Sequence, residues 1–62
     1  MNSEQVLKQT INFIENDVAW YTNQINSGDY DPPDVLSFKD QRAAYISIAR
    51  RIKELQEQVE KD

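Results

Sequence analysis

Four aspartates around a pair of prolines form the grouping whose spacing comes closest to a chemical site. An EF-hand calcium loop has carboxylates at its first and third positions, Gly at its sixth and Glu at its twelfth. Counted from Asp29, the third position is Asp31, but the sixth is Asp34 and the twelfth is Asp40. The spacing therefore predicts a turn with solvated acids and no metal site.

The rest of the composition argues against catalysis. The chain has neither Cys nor His, which excludes disulfides, the usual zinc sites and nucleophiles activated by His. One glycine, Gly28, is too few for a phosphate-binding loop. Ser37 fits the cap of a helix better than a nucleophile. We therefore expect that the protein is not an enzyme and uses no cofactor, metal or small-molecule substrate.

Two runs of apolar residues, one on each side of Pro32-Pro33, repeat at the alternating spacings of three and four that mark a helix seam. The first seam contains Leu7, Ile11, Ile14, Val18, Tyr21 and Ile25. The second contains Tyr45, Ile48, Ile52, Leu55 and Val59. This pattern predicts an all-α fold: a single domain, residues 1–62, forming an antiparallel hairpin of helices at about 3–26 and 38–61. We expect it to dimerise into a four-helix bundle, because so short a chain buries both seams poorly.

Residues suited to helix ends flank both seams. Asn2 and Gln5 have the spacing of a capping box at the start of helix one, and Gly28 suits its left-handed C-terminal end. Pro32-Pro33 predicts an extended, stiff connection, since a proline disfavours helical geometry at the residue before it. Ser37 is then expected to cap helix two.

Helix one carries a second apolar stripe beside its seam, made of Val6, Phe13 and Trp20. Together the stripe and the seam span about 160° at about 100° per residue, which is typical of a helix with two neighbours. Asp17 lies inside this arc. We favour a structural role, with the aromatic residues in the core and Asp17 meeting an arginine of helix two. The alternative is an exposed recognition patch, since aromatic anchors dominate interfaces.

Basic residues follow an outer face of helix two at Arg42, Arg50 and Lys53, with Ile46 among them. We interpret them as a solvated face with ion pairs, in preference to a stripe that contacts phosphates. Ile46 marks a dimer or partner contact on that face.

The net charge of −4 is unevenly distributed. Residues 1–37 contain six acidic residues and one lysine, a net charge of −5, whereas residues 38–62 contain six basic and five acidic residues, a net charge of +1. Nucleic-acid-binding domains usually have a basic excess, so this distribution favours a basic protein partner. Neither a signal peptide nor a membrane-spanning run is expected, and we predict a cytoplasmic location.

These features favour a small acidic protein–protein interaction module: an inhibitor, adaptor or regulatory subunit, of the kind encoded by phages or mobile elements. It would bind another protein, itself or both, through the apolar face of helix one. The residues predicted to bind protein are Val6, Phe13, Asp17, Trp20, Gln24 and Ile46.

In size and plan the chain is similar to the Rop-type plasmid RNA-binding hairpins, through its two heptad helices and their tight connection. The resemblance implies a dimeric four-helix bundle and, as the alternative function, a regulator that binds RNA or DNA. The basic face available for that function contains Arg42, Arg50, Arg51 and Lys53. In a third possibility the acidic first half mimics nucleic acid.

Overall fold

The structure, a computed structural model, describes residues 2–61 and the side-chain exposure of residues 2–60. Two helices, α1 (Ser3–Asn26) and α2 (Pro32–Lys61), pack along each other as a hairpin. No strand occurs in the described part of the chain. The predicted all-α hairpin is therefore confirmed.

The ends of α1 are capped as its sequence predicts. Asn2 Oδ1 accepts a hydrogen bond from the backbone N–H of Gln5 at 2.9 Å, and the Gln5 side chain accepts one from the Asn2 N–H at 3.3 Å. At the other end, the N–H of Ser27 donates to the carbonyl of Gln24. Gly28 follows with φ +77°, a left-handed conformation that glycine adopts without a side-chain clash.

The predicted start of α2 at residue 38 is wrong, because the helix begins six residues earlier at Pro32. The carbonyl of Asp31 accepts hydrogen bonds from the N–H groups of Asp34 and Val35 at 3.0 and 3.1 Å, so the helical pattern starts there. The first N–H groups of a helix have no partner within it, so prolines are tolerated at these positions. Asp31 itself stays outside the helix, as the residue before a proline prefers.

The same shift removes the predicted cap at Ser37. That residue lies inside α2, where its hydroxyl accepts a hydrogen bond from Gln41 Nε2 at 3.1 Å. The connection between the helices is therefore residues 27–31 alone, and the expected extended Pro32-Pro33 segment is the first turn of α2.

The seam predicted for α1 faces α2. Ile11 and Ile14 are buried, and the other four members of that seam are half-buried. Their regular spacing keeps them on one side of the helix.

The seam predicted for α2 is only partly right, because the helix is rotated about its axis relative to expectation. Tyr45 and Ile52 face α1, but Ile48, Leu55 and Val59 are exposed. Besides Tyr45 and Ile52, the inward line contains Phe38, Arg42, Ala49 and Gln56. Ala49 is the buried residue at the centre of this line, where its small side chain lets the helices approach closely.

Five aromatic rings pack together near the connection. The ring centroid of Phe38 lies 4.9 Å from that of Tyr30, 5.9 Å from Trp20 and 6.0 Å from Tyr21. Tyr21 also stacks on Tyr45 at 5.6 Å. Aromatic pairs at these separations contribute about 0.5–1.5 kcal/mol each beyond their buried area, so this end of the hairpin is firmly joined.

Candidate protein-binding face

Two polar contacts across the hairpin show which sides of the helices adjoin. Lys53 Nζ lies 3.2 Å from Glu15 Oε1, and Arg42 Nη1 donates to Thr22 Oγ1 at 3.1 Å. One flank of α1 therefore lies beside one flank of α2, and we call their combined surface the polar face. Because the helices are antiparallel, the two remaining flanks also meet on one side, opposite the polar face.

The composition of that opposite side follows from a simple rule of position. At about 100° per residue, the residue before an inward-facing position lies on one flank and the residue after it lies on the other. Around Ile14, for example, Phe13 is on one flank and Glu15 is on the polar face. Around Ala49, Ile48 and Arg50 are divided in the same way.

Large apolar side chains occupy the flank opposite the polar face on both helices. We call this surface the apolar face, and its members are Val6, Phe13, Trp20, Ile48 and Leu55. Their exposure ranges from 39% for Leu55 to 70% for Phe13. Several exposed large apolar side chains on one side of a small domain are typical of an interaction site.

Phe13 and Trp20 differ in how they sit on this face. The structural role favoured for both from sequence is wrong for Phe13, which is the most exposed of the large apolar side chains among the described residues. Trp20 is half exposed and makes edge contacts with Phe38 and Tyr21. It therefore joins the apolar face to the aromatic packing beneath it.

Asp17 lies on the apolar face between Phe13 and Trp20 and is exposed. None of the three ion pairs among the described side chains includes it, so the expected arginine of helix two does not meet it within the hairpin. The negative charge of Asp17 also affects the pKa of Tyr21. Partial burial raises the pKa of the Tyr21 hydroxyl, and Tyr45 and then Asp17 raise it further.

The two other residues predicted to bind protein lie away from the centre of the apolar face. Gln24 is half-buried at the turn end, where its Oε1 accepts a hydrogen bond from the Tyr30 hydroxyl at 3.0 Å. Ile46 follows the inward residue Tyr45 and therefore belongs to the polar face. There it lines a shallow groove of about 290 Å³ with Glu15, Val18, Ala49, Arg50 and Lys53.

The four candidate nucleic-acid-binding residues do not share one surface. Arg50 and Lys53 belong to the polar face, and Arg42 lies on the inward line with its guanidinium reaching Thr22 on that face. Arg51 precedes the inward residue Ile52 and lies on the apolar side. Arg42 and Lys53 are engaged with α1, and Arg51 Nη1 lies 3.2 Å from Glu54 Oε2. Of the ion pairs expected along Arg42, Arg50 and Lys53, the described side chains show the one at Lys53, whose partner is Glu15 of α1.

Among the described residues, no group of three or more acidic side chains is placed to hold a metal ion. Over the same range, neither helix combines the length and the apolar character needed to cross a membrane. Comparisons with protein-family models, curated proteins and solved structures found no match to this chain.

Sequence reasoning missed the contribution of α2 to the apolar face, because it assigned Ile48 and Leu55 to the inward seam. The signal that could have shown the rotation is Ala49. A line through Ala49 places a small residue at the contact and leaves Ile48 and Arg50 on opposite flanks.

Proposed function

We propose that the protein is a protein–protein interaction module that binds its partner through the apolar face. One observation carries the proposal: five large apolar side chains, three from α1 and two from α2, are exposed, and their positions place them on the same side of the hairpin. Burying a side chain such as Phe13 at an interface contributes about 1.5–3 kcal/mol. The inhibitory, adaptor or regulatory role and the cytoplasmic location expected from the sequence are parts of this proposal.

The apolar face also has the anatomy of an interface. Aromatic residues are enriched at interfaces, and here Phe13 and Trp20 share one side of the hairpin with Val6, Ile48 and Leu55. Asp17 adds one charged group that a partner can recognise. The polar face lacks this combination, since its exposed cations are accompanied by Glu15 and other acids.

A photo-crosslinking amino acid placed at two matched positions tests the proposal. Benzoylphenylalanine at Phe13 keeps an aromatic side chain at an exposed point of the apolar face. The control places it at Asn12, which is also exposed but follows the inward residue Ile11 on the polar face. We expect covalent protein adducts from position 13 and far fewer from position 12 in the cells that make the protein.

Equal labelling from both positions, or no adduct from either, would contradict the proposal. Circular dichroism of both variants checks that the hairpin is retained.

A further inference from the structure

Resting on the proposed function, we propose that the partner is a second copy of this chain and that the two apolar faces pack about a two-fold axis parallel to the helices. The product is a four-helix bundle in which α1 of each copy lies against α2 of the other, with neighbouring helices antiparallel. Asp17 of each copy then meets Arg51 of the other.

Two polar contacts show which residues of the two helices lie at similar heights, namely Glu15 with Lys53 and Thr22 with Arg42. Because the helices are antiparallel with the same rise per residue, a step forward on α1 matches a step back on α2. Counting from the ion pair gives three level pairs on the apolar side: Phe13 with Leu55, Asp17 with Arg51, and Trp20 with Ile48. Counting from the hydrogen bond shifts the partner on α2 by four residues, about one helical turn, a distance that the long Arg51 side chain spans.

A two-fold axis parallel to the helices keeps every residue at its height and places α1 opposite α2 of the partner copy. Each level pair therefore becomes a contact between copies. Phe13 meets an aliphatic side chain, Trp20 meets another, and the carboxylate of Asp17 meets a guanidinium. Apolar groups and opposite charges are thus complementary in one register.

The other face-to-face symmetry lacks this complementarity. A two-fold axis perpendicular to the helices would place α1 on α1 of the partner copy. The basic residue of α1, Lys8, follows the inward residue Leu7 on the polar face and lies 3.3 Å from Glu4. Asp17 would then have no basic group opposite it, whereas Arg51 needs only to leave an exposed pair with Glu54.

The size of the face matches what a dimer requires. The hairpin measures 47 Å by 17 Å across its broad faces, a projected area of about 800 Å². That is about what each partner contributes to a standard-size protein interface. Two copies packed along their full length therefore reach the area of a specific complex.

The small core of the hairpin also favours a partner that adds stability to the fold. Among residues 2–60, three side chains are more than nine-tenths buried: Ile11, Ile14 and Ala49. Domains of this size bury too little surface for a comfortable margin of stability, and oligomerisation is one of the usual remedies. A second copy is available wherever the chain is made.

Charge exchange between copies tests the proposal. Asp17→Arg and Arg51→Asp each replace two symmetric attractions with two repulsions, and we expect each to weaken the dimer about tenfold or more. Mixed in equal amounts, the two variants restore both attractions and should form a heterodimer with the affinity of the original chain. Arg50→Asp, the same charge change on the polar face, is the matched control. Sedimentation equilibrium from micromolar to millimolar concentrations measures the original chain, the three variants and the mixture.

Recovery of association in the mixture supports the proposal, provided that Arg50→Asp changes the affinity little. If the original chain and all variants dimerise with equal affinity, the proposed symmetry and register are wrong. A chain that stays monomeric at every concentration would overturn the second copy as partner. In that case, adducts between position 13 and other proteins would still support the proposed function. If position 13 gives no adduct, both the proposed function and the second copy as partner are wrong.

Discussion

The apolar and polar faces are formed by the same two helices. Residues one position before the inward-facing ones form the apolar face, and residues one position after them form the polar face. Val6, Phe13 and Trp20 precede inward residues, whereas Lys8, Glu15 and Thr22 follow them. The polar face ties the helices together with Lys53–Glu15 and Arg42–Thr22. The apolar face has large side chains left exposed. One flank therefore carries the polar contacts between the helices, and the other carries the exposed apolar side chains that we propose bind a partner.

The largest effect is expected from the inward line that supports both faces. Ile14 is buried, and Ile14→Ala should lower the free energy of unfolding by about 2–5 kcal/mol. A chain of this length has a total stability of roughly 3–9 kcal/mol, so this loss should lower the melting temperature strongly or unfold the hairpin. Circular dichroism during thermal unfolding measures the loss. Retention of the original melting temperature would show that the two faces do not depend on this seam.

The next effect separates the two faces directly. Leu55 on the apolar face and Ile46 on the polar face are equally exposed, at 39% and 41%. Leu55→Lys should weaken association about tenfold or more, because it places a charge inside the interface. Ile46→Lys should change the affinity little. Sedimentation of both variants decides the matter, and a larger effect at Ile46 would reassign the binding surface to the polar face.

A pH effect is expected beneath the apolar face at Tyr21. Its folded-state pKa is raised above the ordinary value of 10.0, so the neutral hydroxyl is favoured by folding. The associated stability is fully present below about pH 10 and is lost as pH rises through the folded-state pKa. Tyr21→Phe should remove this part of the alkaline destabilisation. Urea unfolding at neutral and alkaline pH measures it, and identical pH profiles for both proteins would contradict the shift.

A smaller effect is expected from the polar face. Glu15 and Lys53 form an exposed ion pair, with about half of each side chain accessible. Lys53→Ala should cost about 0–1 kcal/mol of stability, and the difference from the original chain should shrink in high salt. Denaturant titrations at low and high salt test this. A large loss that persists in salt would mean that the pair organises the hairpin.

The smallest effect is expected in nucleic-acid binding. The basic residues are divided between the two faces, and Arg42 and Lys53 are engaged with α1. We therefore expect no salt-sensitive retention on RNA or DNA at low salt. Retention that disappears in Arg50→Ala and Arg51→Ala would instead support the nucleic-acid-binding alternative.

The parts of the fold that sequence predicts are those fixed by local chemistry. The seam of α1 and the caps at Asn2 and Gly28 depend on spacing and on side chains next to the backbone groups they satisfy. The start of α2 was misplaced, because Pro32 and Pro33 suit both an extended link and a first helical turn. The hydrogen bonds to the Asp31 carbonyl distinguish these two possibilities.

The candidate site was predicted in part, for a related reason. The stripe of Val6, Phe13 and Trp20 is visible in the sequence of α1 alone. The apolar residues of α2 are regular enough to form an inward seam, and only the packing against α1 shows that Ala49 is the residue at the contact. Which flank of one helix adjoins which flank of the other depends on tertiary contacts such as Lys53–Glu15.

The aromatic cluster beside the short connection has a consequence for how the chain folds. Residues 27–31 are all that separates the helices, and closing so short a loop loses little chain entropy. Contacts among Tyr21, Tyr30 and Phe38 form across this loop, and each further contact closes a slightly longer one. We expect the hairpin to zip from the turn towards its open end, at the high speed typical of folds rich in local contacts. Tryptophan fluorescence from Trp20, which lies in the cluster, should report the first step.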